Sequence, residues 1–564
     1  MRPSLPVRTP DSMRKAALAA TCLLVFGVAA GPSAAQIIER PIDADPVQLD
    51  TGAVRGNRLE SGVKTYFGIP FAAPPVRELR WREPQPVKPW NGVYNADRKG
   101  PECIQPLRAH NINHYFGEEA TSEDCLTLNV WAPADATPGA RLPVIVYFYG
   151  GGSTIGSSGM ALYGGEPMAG RGAIFVNFNY RLGALGFMAH PELTAESPDH
   201  ASGNYGYLDQ IAALQWIQRN IAAFGGDPDH VVISGQSAGA GSVSLMQISP
   251  LAKGLFSGVV AMSGSQWGNG GASIRPLSEA EATGMQAQTA LKAASLDDMR
   301  QVPADRILAL QEDCQLGCTN GNIRFGGANV DGHFLPDQPA ALFSAHRNSD
   351  VPVITGFTRD ESNNALKAAR TVAEFRAAAQ TAYGANADQF LSLYDPKTDA
   401  EVAAIGSAAA RDAAVGRGAR NWAIAQARAN RSPTYIFMLS RVQPFNPAVV
   451  IADHPERIGA YHTSDVPYWF GTLDALNMFR PTRIWTDDDR MLSGRMMDAL
   501  IAFARTGDPS TPAMNWPSWS APDERYLGLD VTPTILRMNP ARMDFVNAHP
   551  ITPTAAAPSR GTRD

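Results

Sequence analysis

What is scarce in this chain narrows it before any motif is read. Apart from residues 16–30 no run is apolar for long. That run (AALAATCLLVFGVAA) is too short to cross a bilayer comfortably, which excludes an integral membrane bundle. Charge of one sign is not in excess: 48 Lys+Arg against 54 Asp+Glu leave a formal −6. With no basic stripe on top of that balance, a nucleic-acid partner is excluded. Lysine is rare beside arginine, which reads as compositional bias rather than function. Cysteine is limited to 5 residues, and no histidines stand at ligand spacing from them, so a zinc site is not supported. No internal repeat is present. Apolar residues at 44% and charged residues at 18% are ordinary for a globular chain, which excludes disorder as the dominant state.

Arg14-Lys15, the apolar run and the small residues Ser33-Ala34-Ala35 together form an export signal over residues 1–35. Processing at that point starts the exported chain at Gln36, whether translation begins at Met1 or Met13. Lipidation at Cys22 lacks its usual upstream leucine, since Ala19-Ala20-Thr21 precede it. The protein is therefore expected in the periplasm or the medium. In an oxidising compartment the four remaining cysteines can pair, and sequence order favours Cys103–Cys125 and Cys314–Cys318. Residues 36–549 are expected to form one domain, and the tail 550–564 (PITPTAAAPSRGTRD) a disordered end.

Near-continuous apolar runs predict strands covered on both faces. They are Leu142–Tyr149, Ala173–Tyr180, His230–Ser234, Val259–Met262, Val351–Thr355 and Thr434–Leu439. Helical spacing predicts helices over Leu208–Phe224, Ala238–Ile248 and Leu492–Ala504. Ala-rich stretches near 279–325 and 371–430 read as helical insertions over the sheet. Strands alternating with helices imply an α/β architecture with a largely parallel sheet.

Chemistry enters with Gly235-Gln236-Ser237-Ala238-Gly239, a G-x-S-x-G segment between the strand HVVIS and a small-residue helix. A serine hydroxyl must stand clear of the backbone to reach a carbonyl carbon. A sharp strand-to-helix turn does this, and glycines on either side relieve the crowding it causes. A second glycine cluster, Gly150-Gly151-Gly152, ends the strand LPVIVYFY. No Lys-Ser/Thr follows it, so it is not a Walker phosphate loop. In an acyl-transfer reading Gly151 and Gly152 share an oxyanion with the Ala238 N–H. A serine near neutral pH needs a base. His462, in AYHTSDVPYW, lies where the last member of a Ser–acid–His order belongs. Asp360 and Glu361, after the strand Val351–Thr355, are both candidates for the acid, and spacing does not separate them.

These segments come in a recognisable series. YFGIPFAAPP at 66–75, EDCLTLNVW at 123–131, YGGG at 149–152, NYRLGALGF at 179–187, GNYGYLDQ at 203–210, NIAAFGGDPDHVVISGQSAGA at 220–240 and VDGHFLP at 330–336 occur in order. The chain from about residue 50 to about 540 thereby resembles the type-B carboxylesterase family, which includes bacterial para-nitrobenzyl esterases, fungal lipases and cholinesterases. The resemblance implies an α/β-hydrolase fold and ester hydrolysis without metal or organic cofactor. It implies Ser237 as nucleophile, His462 as base and Glu361 rather than Asp360 as the acid. It implies oxyanion donors at Gly151, Gly152 and Ala238, and a disulfide Cys103–Cys125. It also implies structural ion pairs Arg80–Glu123 and Arg181–Asp209.

Three departures from the family pattern stand out. Gln236 replaces the usual Glu before the nucleophile, Ser153 replaces an aromatic after the glycines, and Cys314–Cys318 is not a usual pair. No tryptophan lies between Cys103 and Cys125, although Tyr115 does. Without an aromatic box and with Gln236, a choline ester is not the expected substrate. A small-molecule ester is the expected partner, and Trp267 is a candidate for the acyl pocket or for the core. Two other readings stand beside ester hydrolysis: a non-catalytic binding module on the same fold, and amide or carbamate cleavage or acyl transfer through the same triad.

Overall fold

The computed structural model describes residues 40–42, 46–106, 120–268, 274–311, 323–449 and 458–551. The segment 1–35, Tyr115, Cys314, Cys318 and residues 552–564 lie outside the described residues. A twisted 12-stranded sheet organises the rest. In chain order its strands are β1 (Arg40–Pro41), β2 (Asn57–Arg58), β3 (Lys64–Pro70), β4 (Thr127–Ala132), β5 (Leu142–Phe148), β6 (Ile174–Phe178), β7 (Gly226–Gln236), β8 (Gly258–Met262), β9 (Val353–Thr358), β10 (Thr434–Leu439), β11 (Arg525–Leu529) and β12 (Thr534–Arg537). Across the sheet they run β1-β2-β3-β4-β6-β5-β7-β8-β9-β10-β11-β12. Pairing is antiparallel from β1 through β4 to β6, parallel from β6 to β11, and antiparallel again at β12.

The parallel strands β6, β8, β9 and β10 are buried along their whole length, as strands covered on both faces must be. β9 starts at Val353 rather than at Val351 and runs on to Thr358. Pro352 has no N–H to give the ladder, and its carbonyl instead accepts from Val259. β3 and β4 carry the front of the sheet and are absent from the strands predicted by apolar runs.

Strand order reverses at β5. The chain steps from β5 outward to β6, then returns to lay β7 on the other side of β5. Such a reversal opens a crevice beyond the carboxyl ends of the two strands. The register places Phe148 opposite Gly235, so β5 and β7 end level with each other. The glycines that follow β5 and the serine that follows β7 therefore share that crevice.

Four helices matter for the site. α1 (Tyr205–Asn220) buries a wide face and continues as a short 3-10 turn to Gly225, whose φ of 93° closes it. α2 (Ala238–Met246) follows the serine and packs on β7 and β8 with alanine, glycine and serine side chains, which let it approach closely. α3 (Arg417–Ala429) buries Ala419, Trp422, Ala423 and Gln426 and packs against β10. α4 (Asp487–Thr506) starts with a reciprocal cap between Thr486 and Asp489 and ends at Gly507 with φ 76°. Residues between 366 and 413 form a second small core with helix Pro540–Ala548 and Ile551.

Cross-links tie the front loops down. Cys103 and Cys125 form a disulfide across 22 residues. Arg80 makes a two-pronged pair with Glu123 at 2.6 and 2.7 Å. Arg181 holds Asp209 at 2.7 and 2.8 Å, with the Asp209 side chain fully buried and the Arg181 side chain 4% exposed. Removing one partner of such a pair strands the other charge and typically costs about 3–5 kcal/mol, whereas replacing both with apolar groups is often neutral. Asp209→Ala is therefore expected to lower the unfolding free energy by that order and with it the urea midpoint. Arg181→Met with Asp209→Leu should recover most of the loss. Equal midpoints for the parent and Asp209→Ala would refute the structural assignment of the pair.

Candidate active site

Ser237 sits between β7 and α2 with φ 57° and ψ −120°, a conformation that L side chains rarely adopt. Its N–H donates to the Met262 carbonyl at 2.8 Å, and its carbonyl accepts from Gly241 at 3.0 Å, so the turn is held from both sides. Space dictates the neighbouring glycines. A Cβ at Gly235 would overlap the Gly239 carbonyl, and one at Gly239 would overlap the Phe148 carbonyl. The Ser237 side chain does not cap α2.

Gly151 and Gly152 have φ of 103° and 65°. Their N–H groups and that of Ala238, the first residue of α2, donate to no backbone carbonyl among the described residues. These three N–H groups stand where the loops after β5 and β7 meet, that of Ala238 at a helix N-terminus. A cavity of about 230 Å³, lined in part by Gly264, Ser265 and Thr355, opens beside this turn, with Gly264 packed on the Ser237 carbonyl.

The segment after β9 and the loop at 459–465 meet here. His462 Nδ1 lies 2.5 Å from Glu361 Oε2, and Glu361 Oε1 accepts from the Thr358 N–H at 3.0 Å. The Glu361 side chain is 2% exposed. Asp360, the other carboxylate left open by spacing, does different work. Its Oδ2 accepts from the Ala460 N–H at 2.9 Å and from Arg359, its Oδ1 accepts from Ser407, and its N–H donates to the Ala460 carbonyl. Asp360 thus clamps the histidine loop to the acid loop. On the far side Gln443 Nε2 donates to the Ser464 carbonyl and its Oε1 accepts from Tyr461 and Arg483. Neither Asp360's clamp nor the Gln443 and Arg483 support is legible from sequence, because the partners are far apart in the chain.

The structure does not join Ser237 to His462 by a hydrogen bond among the described residues. His462 Nε2 instead meets the side-chain amide nitrogen of Gln236 at 3.2 Å. Trp267 is buried edge-on against Phe343 at 4.9 Å, and its carbonyl accepts from Asn421. It is a packing residue that also borders a separate groove of about 980 Å³. Among the described residues, Glu83, Asp199 and His333 bring one ligand atom each within 4.8 Å of one another. His333 meets Glu83 through Nε2 at 3.5 Å and Asp199 through Nδ1 at 3.4 Å.

The electrostatics follow from burial and partners. Burial opposes the charged form of His462, but the Glu361 hydrogen bond and the negative charges of Glu361 and Asp465 outweigh it and raise its pKa. Burial is the largest single effect, and only the Glu361 hydrogen bond, the Glu361 charge and the Asp465 charge taken together exceed it. For Asp360, burial pushes upward, yet hydrogen bonds from Arg359, the Ala460 N–H and Ser407 hold it below the usual range. Asp465 is different. It is fully buried, and neither carboxyl oxygen has a well-formed hydrogen bond. Burial first, then the Glu361 charge, push it up to about 7.

The sign of that shift is checkable. A carboxyl group raised in the folded state stabilises the fold fully below its unfolded pKa of about 4 and loses that contribution as pH rises through about 7. Asp465→Asn is therefore expected to melt at a higher temperature than the parent at pH 8 and to show little gain at pH 4. A parent whose advantage or deficit against Asp465→Asn is the same at both pH values would contradict the shift.

The geometry agrees with comparisons to known proteins. A profile of the carboxylesterase family matches residues 43–546. The chain is 33% identical over 515 residues to a fumonisin B1 esterase of Sphingopyxis macrogoltabida, covering 90% of each chain. It is 31% identical over 505 residues to a para-nitrobenzyl esterase of Bacillus subtilis (strain 168), covering 87% of this chain and 95% of that protein. A solved structure of a PNB esterase superposes with a TM-score of 0.73 at 30% identity, covering 90% of this chain and all of that one, and a thermophilic PNB esterase with 0.71 at 30%. The sheet, the serine turn and these matches together place the chain in the carboxylesterase family, as a carboxylic-ester hydrolase of the α/β-hydrolase fold.

Proposed function

We propose that the protein is an exported serine hydrolase that cleaves small to medium carboxylic esters through an acyl-enzyme. In this reading Ser237 is the nucleophile, His462 the general base, Glu361 the acid that orients it, and Gly151, Gly152 and Ala238 the oxyanion donors. One observation carries it: Glu361 grips His462 Nδ1 at 2.5 Å on the same rim where Ser237 stands on its strained turn.

The chemistry runs as follows. A carboxylate only accepts hydrogen bonds, so Glu361 holds the proton on Nδ1 and leaves the Nε2 lone pair as the base. Nε2 takes the Ser237 proton as Oγ bonds to the ester carbonyl carbon. The carbonyl oxygen becomes an oxyanion against the three free N–H groups, where each donor is worth on the order of a hundredfold in rate. The carbon–oxygen bond to the alcohol breaks, and the imidazolium hands its proton to the departing alkoxide. Water then attacks the acyl-enzyme with His462 acting again, which releases the acid and restores Ser237. No helix among the described residues is long and apolar enough to cross a membrane. The disulfide and the N-terminal signal pattern support a periplasmic or secreted protein.

The test is release of p-nitrophenol from p-nitrophenyl acetate and butyrate. Ser237→Ala and His462→Ala are expected to lower kcat by roughly 10⁴–10⁶, and Glu361→Gln by roughly 10³–10⁴. Parent-like turnover by folded Ser237→Ala, or no labelling of the parent by an organophosphonate, would sink the acyl-enzyme reading. Anilide and carbamate analogues of the same acyl group, run in parallel, separate ester hydrolysis from the related activities.

A further inference from the structure

The contact between Gln236 and His462 is not required by the mechanism above, and it falls on the atom that the mechanism uses. Gln236 ends β7, is 2% exposed, and has its backbone fixed by pairing with Met262. A Cβ at Gly150 would stand 2.6 Å from the Gln236 backbone carbonyl, so glycine there permits the close approach of the end of β5 to Gln236, whose Oε1 lies 3.1 Å from the same point. The amide nitrogen then lies 3.2 Å from His462 Nε2. Nδ1 is committed to Glu361, so in the neutral ring Nε2 is a bare lone pair. Of the two ends of a carboxamide only the NH₂ can pair with a lone pair, which decides the orientation of Gln236 chemically. Ser237 Oγ makes no hydrogen bond to His462 among the described residues, so in this state the amide stands where the serine hydroxyl must bond.

We propose that Gln236 is a positioning residue for His462: its amide caps Nε2 in the resting enzyme, holds the ring in the Nδ1–H tautomer, and favours the neutral base. The proposal rests on the reading of His462 as general base. It has two consequences. Activation of Ser237 requires the Gln236 amide to yield Nε2 to the serine hydroxyl, and rotation about the last side-chain bond then offers Oε1 to the imidazolium N–H. A neutral amide donor also opposes protonation of the resting ring, whereas a carboxylate at the same place would promote it. The other charges facing His462 are Glu361 across Nδ1 and Asp465 from its own loop, with Asp360 and Lys367 behind Glu361. Arg483 and Gln443 reach Tyr461 instead. Gln236 is thus the neutral group among acids, and its neutrality is what the proposal tests.

The experiment follows His462 by ¹⁵N NMR in full-length protein, for the parent, Gln236→Glu and Gln236→Met, each also in the Ser237→Ala background. The pH profile of kcat/KM is recorded beside it. Gln236→Glu is expected to raise the His462 midpoint by about one pH unit or more, because an opposite charge lies within about 4 Å of the ring. The acid limb of kcat/KM should move up with it, giving about tenfold lower kcat/KM one unit below the new midpoint. Gln236→Met keeps the volume and removes the donor. Its neutral-ring Nε2 resonance should move towards that of an unbonded nitrogen while the Nδ1 proton shared with Glu361 stays. If Gln236→Glu fails to fold, the Nε2 shift in Gln236→Met decides. An unchanged midpoint in Gln236→Glu, or an unchanged Nε2 resonance in Gln236→Met, overturns the proposal. The NMR readout in Ser237→Ala needs no turnover, so loss of the base assignment shows separately, as an acid limb that does not follow the His462 midpoint.

Discussion

Everything in this site depends on one close approach of backbones. β7 and α2 meet at Ser237 with almost no space between them and the end of β5. The Phe148 carbonyl touches the place where a side chain on Gly239 would be, and the Gly239 carbonyl fills the place of one on Gly235. Holding a serine at positive φ costs about 1–3 kcal/mol, and such strain persists only where the surroundings over-determine it. Here the determinants are the paired ends of β5, β7 and β8, with the Ser237 N–H bonded to Met262 in the neighbouring strand. The strain is thus borne by a buried parallel sheet, which holds Ser237 at the half-buried turn between β7 and α2.

The same sheet positions the other half of the site by a different device. Glu361 comes directly off β9, so its depth is set by strand register. His462 comes from a loop with no strand of its own, and that loop needs anchors. Asp360 supplies one on the acid side, through both Ala460 backbone groups. Gln443 and Arg483 supply the other through Tyr461 and Ser464. Two adjacent carboxylates therefore divide the work: one acts on the imidazole and its neighbour on the backbone that carries the imidazole. The imidazole is thereby held in place on an irregular segment.

Charge around the imidazole is finely set. Glu361 is a strong acceptor, Asp465 is a buried carboxyl with poor partners that is pushed towards neutrality, and Gln236 is neutral by chemistry. A second full negative charge beside Glu361 would pull the imidazole towards its protonated form, in which it is no longer a base. Gln236 adds no negative charge beside His462, and burial raises the pKa of Asp465, the second carboxyl group that faces the ring.

Much of this was legible in the linear chain, for physical reasons that are local. Buried parallel strands must be apolar at almost every position, so six of them read directly from composition. The serine turn needs small neighbours within two residues on each side, so its motif is contiguous. The ordered series of family segments then distinguished Glu361 from Asp360, which spacing had left equal. Tertiary structure decided the rest, because it joins residues that have no sequence relation. The front strands β1 and β2 are two residues each, and only pairing with their neighbours in the sheet defines them. Asp360's clamp on Ala460, the Gln443–Arg483 support and the Gln236 amide on Nε2 each bridge elements of the fold whose approach is set by packing. The sequence by itself determined which groups could do acyl chemistry and on what kind of sheet. The folded chain alone determined which nitrogen of His462 is held by Glu361, which is met by Gln236, and how much negative charge surrounds the ring, because those are distances in space.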